Sequence, residues 1–234
     1  MTQSHPRRRP GPGRPRHVDK PGAPTERARD EVLDAASRLF TERGYANTST
    51  RQIAEAVGIR QASLYYHFEG GKPDMLAEVL ALTVRPTLER FALVEDMFED
   101  PATALYLLVL LDVQTLADAP HNSGRLAMFP DVVKEVPEYS EAHSELAIEY
   151  GRIGARLAPL HVAESVSARQ LGGLLLQNVE TVIGWIADKT FNRMTSRDVV
   201  ASTCLRICGA DEDTIDAARA GAHLRLAEVA DEVA

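Results

Sequence analysis

The chain has 234 residues, of which 44% are hydrophobic and 26% charged, and its formal net charge is −8. This is the composition of ordinary folded domains, and it excludes a collagenous or wholly disordered chain. No uninterrupted apolar stretch approaches the roughly 20 residues that a membrane-spanning helix needs. We therefore expect no membrane span, and no secretory signal in the basic first 25 residues, which lack an apolar centre. The two cysteines, Cys204 and Cys208, are too few for a disulfide scaffold and favour a reducing, cytoplasmic location.

Charge is distributed unevenly along the chain. Residues 1–25 carry a net charge of +5, residues 26–80 carry −2, and residues 81–234 carry −11. A basic arm on an acidic body indicates that one end of the molecule meets a polyanion while the rest keeps it soluble. The same boundaries mark changes in sequence pattern, so we predict three parts: a disordered arm (1–25) and two folded domains (26–80 and 81–234).

The 26–80 region reads as a bundle of short helices. An apolar stripe through Val32, Ala36 and Phe40 predicts a helix over about 26–43, which Gly44 ends. Ser49, with a glutamine three residues later, is typical of a capping box at the start of a second helix.

Glycine and proline set the limits of the next elements. Gly58 ends the second helix, and a third helix over about 60–67 carries Leu64 inward. Pro73 suits the first turn of a fourth helix, which Pro86 kinks or ends.

The rest of the chain reads as helix after helix, with no convincing strand pattern. Apolar helical periods occur near 87–98, 101–118, 140–158, 164–190, 197–208 and 212–232. The predicted fold class is therefore all-α, a small three-helix N-terminal head followed by a larger helical domain.

Two short helices joined at Gly58 and supported by a longer one predict a helix-turn-helix DNA-binding domain. Gly58 can adopt the positive φ that the tight turn needs. If Leu64 faces inward, Ala62 and Tyr66 point the opposite way, because successive helix residues turn by about 100°. Arg60 and Gln61 then lie at the leading end, where arginine and glutamine suit contacts to guanine and adenine edges.

The sequence motif strengthens this interpretation. The residues that carry the motif are 31–44, Tyr45, the run from Thr48 to Ala54, Val57-Gly58, the run from Leu64 to Phe68, and Lys72. The motif resembles the N-terminal domain of TetR/AcrR-type transcriptional regulators. The resemblance covers about residues 26–80. It implies an all-helical homodimer with paired DNA-reading heads and a ligand-responsive C-terminal domain.

The resemblance also implies residue roles and shows two departures. Thr50, Arg51 and Gln61 are implied to contact bases or grooves, and Tyr65, His67 and Lys72 to contact the DNA backbone. Arg60 stands where the family often has a small capping Ser or Thr, and Gly70-Gly71 shifts Lys72 by one position. The predicted DNA-binding residues are Ser49, Thr50, Arg51, Arg60, Gln61, Ala62, Ser63, Tyr65, Tyr66, His67 and Lys72, with Arg14 and Arg16 of the arm.

Less specific interpretations stay open for several of these residues. Tyr65 alone is compatible with a core aromatic, His67 with a helix cap and Arg51 with a solvated charge. The Gly-Arg-Pro-Arg segment that contains Arg14 and Arg16 resembles a degenerate AT-hook core, which can enter a narrow minor groove. A solvated tail with only nonspecific attraction for DNA is the alternative.

For the 81–234 domain we predict a dimer interface and a ligand pocket. The stretch from Leu171 to Ala187 is apolar on more than one side, which indicates burial against both its own core and a partner subunit, with Gly172, Gly173 and Gly184 permitting close approach. A central helix within one subunit is the alternative. The predicted interface residues, on 164–190 with 197–208, are Leu175, Val179, Val182, Ile186, Cys204 and Cys208.

Pocket candidates combine apolar bulk with polar groups. They are Phe91, Met97, Phe98, Tyr106, Phe129, Tyr139, His143, Tyr150, Asn178, Glu180 and Trp185. A redox role for the cysteine pair is conceivable, but two small buried hydrophobes are the simpler interpretation. The histidines show no metal-ligand spacing, and we predict no metal or cofactor.

The predicted function is a sequence-specific DNA-binding transcriptional regulator, a repressor released from a palindromic operator by an unknown small molecule. An activator, or an architectural DNA-binding protein without an effector, is the alternative. An enzyme is not expected, because the sequence has no nucleophile elbow, phosphate-binding glycine loop or metal motif.

Overall fold

The structure is a computed structural model that describes the backbone of residues 24–232 and the side chains of residues 26–226. The predicted basic arm, with Arg14 and Arg16, lies outside the described residues. Within them every regular element is helical, which confirms the all-α class. The helices are α1 (Pro24–Arg43), α2 (Thr50–Val57), α3 (Gln61–His67), α4 (Lys72–Ala81), α5 (Arg85–Met97), α6 (Pro101–Asp118), α7 (Pro130–Val133), α8 (Pro137–Leu157), α9 (Leu160–Ser165), α10 (Ala168–Ala187), α11 (Ser196–Ile207) and α12 (Glu212–Glu232).

Local capping groups define α2 and α3. The Ser49 side chain accepts from the backbone N–H of Gln52, and the Gln52 side chain accepts from the Ser49 N–H, which confirms the capping box. Gly58 ends α2 with φ of +76°, a left-handed conformation that glycine adopts without a Cβ penalty. Arg60 precedes α3 and makes no side-chain capping hydrogen bond, so the first turn of α3 lacks the usual cap.

The first four helices pack around one apolar cluster. Phe40, Ile53, Leu64, Phe68 and Leu76 are all at most 1% exposed. Leu64 is the one buried residue of α3, so the helix is held by a single inward anchor while the rest of its surface stays free.

The centre of the larger domain is α6, which contacts α5, α8, α10, α11 and α12. By length and mean hydropathy α6 would pass as a membrane span, yet 72% of it is buried inside the protein. Such burial is that of a core helix in a globular domain.

Helices α8 and α10 make the most extensive helix–helix contact of the described chain, and glycine permits it. A Cβ on Gly172 would lie 1.9 Å from the Ala147 carbonyl oxygen, and one on Gly151 would lie 2.1 Å from the Ala168 carbonyl oxygen. Gly172 therefore serves close packing within one subunit. A Cβ on Gly173 or Gly184 would meet nothing within 4 Å, so those two glycines face outward.

Two predicted elements differ from the structure. The single helix predicted over 164–190 is divided, because Ser167 and Gln170 form a second capping box that starts α10 after α9 has ended. Residues 120–133, for which no helix was predicted, form a 3₁₀ helix (Pro120–Met128) followed by α7. We call residues 120–133 the bridging segment, because it contacts both α1 and α10.

The bridging segment departs from regular helix at its start. His121 and Asn122 have φ of +55° and +53°, left-handed values that are costly for residues with a Cβ. The Asn122 Oδ1 and Ser123 Oγ atoms are buried without a hydrogen-bond partner among the described residues. Two left-handed residues and two unpaired buried polar atoms thus lie within residues 121–123.

Candidate nucleic-acid interface and ligand cavity

The outward side of α3 is open to solvent. Tyr65 is 43% exposed and Tyr66 76% exposed. Gln61, Ala62 and Ser63 are exposed as well. Tyr65 is therefore not a core aromatic, and α3 presents a continuous polar and aromatic surface opposite Leu64.

Residues from α2 and α3 meet at one polar cluster on this surface. The Gln61 side-chain amide donates to Thr50 Oγ1 over 2.9 Å, and the Tyr65 hydroxyl lies 3.4 Å from the same oxygen. A Cβ on Gly71 would lie 3.2 Å from the Tyr65 ring, so this glycine lets the loop after α3 pack against that side chain. The cluster holds Gln61 and Tyr65 in defined positions beside the open face.

The charged and capping residues around the cluster occupy its edge. Arg51 is exposed and its guanidinium pairs with Glu55 over 2.8 Å, a contact that raises the pKa of Arg51. Ser49 is engaged in the α2 capping box. His67 is the last residue of α3 and its ring packs edge-on against Tyr66.

Lys72 does not extend freely into solvent. Its ammonium donates to the Tyr45 carbonyl oxygen over 2.7 Å and lies 4.2 Å from the centre of the Tyr45 ring. Burial lowers the pKa of Lys72. The residue ties the start of α4 to the turn before α2, and any contact to phosphate requires it to give up this internal bond.

A cavity of about 500 Å³ opens between α8, α10 and the bridging segment. Three predicted pocket residues, Tyr139, His143 and Glu180, line it. The other lining residues were not predicted, because most of them are small or apolar and have no distinguishing pattern in the sequence. They are Gly124, Ala127, Met128, Val133, Ser140, Ser144, Gln177, Thr181 and Ile183.

His143 and Glu180 form an ion pair in the cavity wall. His143 Nε2 lies 2.7 Å from a Glu180 carboxylate oxygen, and both side chains are about one-third exposed. The hydrogen bond that His143 donates to the Glu180 carboxylate raises the pKa of His143, against the opposing effect of burial. Desolvation, aided by the charge of Glu180, raises the pKa of the neighbouring Tyr139 hydroxyl.

A buried carboxyl group lies behind this ion pair. Asp112 on α6 is 1% exposed, and it accepts hydrogen bonds from the Thr87 and Tyr150 hydroxyls over 2.9 Å each. Burial raises the pKa of Asp112 to about 6. Asp112 was not predicted as a functional residue, because an acid within an apolar helical period has no signal of its own in the sequence.

The other predicted pocket residues lie elsewhere, which corrects their assignment to this cavity. Phe91 and Tyr150 pack edge-on in the core, with ring centres 5.3 Å apart. The Tyr106 hydroxyl joins α6 to Asp198 on α11, and the Asn178 amide donates to the Val200 carbonyl oxygen, so both cross-link helices. Core packing also holds Phe98 and Trp185, and Phe129 borders a separate cavity beside α1.

Most predicted interface residues are also placed differently. Leu175, Val179, Val182, Cys204 and Cys208 are fully buried inside one chain, so they contact their own subunit and cannot touch a second. Ile186 is half-buried. Desolvation raises the pKa of each thiol to about 12, which disfavours the reactive thiolate and hence a redox role.

Together the open α3 surface, its Leu64 anchor and the Gly58 turn define a helix-turn-helix protein with a cavity-bearing helical domain. Comparisons with known proteins agree. The family model described as bacterial regulatory proteins, tetR family, matches residues 32–79. The crystal structure of Mycobacterium smegmatis AmtR matches this structure with a TM-score of 0.74 and 33% sequence identity, and the match covers 89% of this chain and 98% of that one. The chain belongs to the tetR family of bacterial regulatory proteins.

Other relatives match a shorter part of this chain. The HTH-type transcriptional repressor KstR2 of Mycolicibacterium smegmatis is 30% identical over 120 residues, which is 51% of this chain and 56% of that protein. The HTH-type transcriptional regulator LmrA of Bacillus subtilis is 35% identical over 78 residues, 33% of this chain and 42% of that protein. The chain spans about half the length of the curated relatives it matches.

Proposed function

We propose that this protein is a sequence-specific DNA-binding transcriptional regulator, a cytoplasmic repressor that a small molecule releases from its operator. The observation that carries the proposal is the α3 surface, which is exposed along its outward side and fixed by one buried leucine. Residues 26–80 act as the DNA-binding head, and residues 81–234 bind the effector and the second subunit. The arm, residues 1–25, adds electrostatic attraction.

DNA recognition follows from the order of groups along α3. Arg60 and Gln61 lie at the leading end, where side chains of a recognition helix meet base edges in the major groove. Tyr65 and the residues at the edge of the cluster donate to phosphate oxygens, which positions the head without specifying a sequence. On binding, Gln61 exchanges its bond to Thr50 for a base edge.

A homodimer places two heads on one face of DNA. Heads about 34–36 Å apart fit successive major grooves. The proposed interface is the outward face of α10, formed by Gly173, Leu174, Gln177, Thr181 and Gly184, in place of the buried residues corrected above. Gln177 and Thr181 also line the cavity, so its rim lies beside the second subunit.

The bridging segment provides a physical connection between the cavity and the head. Its Gly124, Ala127 and Met128 line the cavity, and Asn122 donates to the Ile183 carbonyl oxygen on α10 over 3.1 Å. At its start, His121 lies 2.9 Å from Asp34 of α1.

A second contact ties the same segment to the head. The Ser37 hydroxyl of α1 donates to the Pro120 carbonyl oxygen over 3.1 Å. A ligand that binds better to a shifted position of this segment changes the orientation of α1, and so the spacing of the two heads.

Selection of bound DNA from a random pool, followed by titration of variants, tests the function. We expect one palindromic sequence to be enriched. Gln61→Ala should lose discrimination at particular base pairs, each worth about 1–3 kcal/mol, while Tyr65→Phe should weaken binding to all sequences alike. Enrichment of no sequence would favour the architectural alternative, and unchanged binding by both variants would show that the assigned face is wrong.

A further inference from the structure

We infer that the effector is an organic cation: a ligand whose amine or amidine group binds between Glu180 and Asp112 while its apolar body fills the cavity beside α8. The inference rests on the proposed function for its regulatory meaning, because it names the chemical class of the molecule that occupies the effector cavity. The charge and depth of the groups that line the cavity support it.

The cavity has an excess of negative charge. The titratable side chains that face it are Tyr139 and His143 from α8 and Glu180 from α10, with Asp112 from α6 behind them. The bridging segment contributes only uncharged lining residues, and no lysine or arginine occurs among the residues that line either void. With both carboxylates ionised, the site has a net charge of −1 when His143 is protonated and −2 when it is neutral.

Asp112 lies directly beneath the cavity wall. A second void of about 10 Å³ reaches Asp112 and shares Tyr139, His143, Glu180 and two other lining residues with the large cavity. Burial is the main cause of the raised pKa of Asp112; the charge of Glu180 raises that pKa further and the charge of His143 lowers it. A void of this size holds about one water molecule or one ligand nitrogen.

The hydrogen bonds of Asp112 leave its charge unbalanced. Its two oxygens accept from Thr87 and Tyr150, which are neutral donors. A buried carboxylate without a cation is costly, and this cost favours any ligand that brings a positive charge to it. A carboxylate or phosphate ligand would instead add a like charge to a desolvated site.

The other residues that line the cavity indicate the chemistry of the uncharged part of the ligand. Ala127, Met128, Val133 and Ile183 make the cavity largely apolar, with Gln177 and the two serines at its edge. Met128 is 64% exposed, so its flexible side chain can close over a bound molecule. A compact hydrocarbon or aromatic group with one cationic end matches this division between apolar wall and acidic floor.

Three probes with the same body test the charge preference. Binding of 4-phenylbutylamine, 4-phenylbutanol and 4-phenylbutyrate to the full-length protein is measured by calorimetry at pH 7.5, without DNA. We expect the amine to bind at least about tenfold more tightly than the alcohol and the carboxylate to bind most weakly, a tenfold ratio corresponding to about 1.4 kcal/mol. Equal binding of the three probes, tighter binding of the carboxylate, or binding of none would overturn the inference.

Substitutions and a change of pH show which side chains produce the preference for the amine. Glu180→Gln and Asp112→Asn should each reduce the amine-to-alcohol ratio severalfold, while Glu145→Gln, an exposed acid on the same helix as His143, should leave it unchanged. Lowering the pH to 5 should also reduce the ratio, because Asp112 and His143 both gain protons. If the ratio persists in both cavity variants and at pH 5, the cation is bound elsewhere and the inference is wrong.

The outcome is separable from that of the proposed function. Operator binding by gel shift does not involve the probes, so a failed charge preference leaves DNA recognition intact. Conversely, an amine-selective protein that enriches no DNA sequence would retain its cation site and lose its proposed regulatory role.

Discussion

At the scale of single residues, Asp112 shows how burial changes the proton affinity of an acid. Its carboxyl group is surrounded by apolar helix and by two hydroxyl donors. Desolvation dominates, and the pKa rises from 3.8 to about 6. The folded protein therefore holds this proton at pH values where the unfolded chain has released it.

We expect the contribution of Asp112 to the free energy of unfolding to fall as the pH rises from about 4 to about 6. The folded state binds more protons than the unfolded state in this window, so ionising Asp112 costs up to about 3 kcal/mol, the equivalent of the roughly two-unit shift. Asp112→Asn should flatten this part of the curve of unfolding free energy against pH. Asp188→Asn, an exposed acid, is the control, and an identical slope in wild type and Asp112→Asn would contradict the assignment.

Burial also predicts the behaviour of the cysteines. Cys204 and Cys208 are fully buried, and the pKa of each thiol is about 12. We expect neither thiol to react with an aromatic disulfide reagent at pH 8 until the protein unfolds, because the thiolate is the nucleophile. Rapid labelling of the native protein at either cysteine would show a reactive site.

At the scale of elements, the helices predicted from the sequence match the structure where a cap, a glycine or an apolar period marks both ends of the helix. The capping box and glycine defined α2, and the pattern at 101–118 predicted α6 to the residue. Where a cap lay inside an apolar run, at Ser167, the run concealed the break before α10. The bridging segment was missed because its left-handed histidine and asparagine follow no helical period.

One part of the candidate site could be predicted from the sequence and the other could not. The α3 face was predictable because one inward leucine fixes which residues point outward. The cavity was not, since its lining comes from three separate parts of the chain that only tertiary packing brings together. Tyr139, His143 and Glu180 were predicted from residue type alone, while Asp112 lies in the most apolar helix and has no signal of its own.

The uncapped start of α3 gives a prediction that separates folding from function. Arg60→Ser should supply the missing side-chain cap and raise stability by about 1 kcal/mol. The same change removes a cation from the proposed DNA-reading end, so operator affinity should fall. Denaturant unfolding and gel shift measure the two effects. Arg60→Ala, which removes the charge without adding a cap, is the control, and tighter operator binding by Arg60→Ser would contradict the assigned role.

The α8–α10 contact predicts opposite effects for two adjacent glycines. Gly172→Ala places a methyl group 1.9 Å from a backbone carbonyl oxygen, so the helices must separate and the melting temperature should fall by several degrees. In Gly173→Ala the methyl group meets nothing within 4 Å, and alanine has the higher helix propensity. Measured in the Leu174→Glu background, which removes the proposed subunit interface, this variant should fold at least as stably as its parent. Equal melting temperatures would show that the two helices do not pack as described.

At the scale of the whole molecule, the outward face of α10 sets the proposed assembly. Leu174 is 47% exposed on this face, between glycines and small polar residues that permit close approach. Because operator recognition needs two heads, loss of the dimer should reduce DNA binding without any change in α3.

We expect Leu174→Glu to shift the protein toward a monomer in sedimentation and to weaken operator binding by at least tenfold. A buried, unpaired carboxylate at the centre of an interface is costly for both subunits. Ile148→Glu changes an equally exposed apolar residue on α8, 53% exposed, and serves as the control. A dimer of unchanged strength in Leu174→Glu would place the interface elsewhere.

The division of charge along the chain has a consequence for how the protein searches the chromosome. Residues 81–234 carry a net charge of −11, and DNA repels them at distances up to about 10 Å in 0.1 M salt. Encounters in which the acidic side leads are therefore rejected before contact, and the productive orientation is selected in advance. The residues that line the cavity proposed for the effector all belong to this acidic part, so the repulsion that orients the head also keeps the cavity away from the DNA backbone.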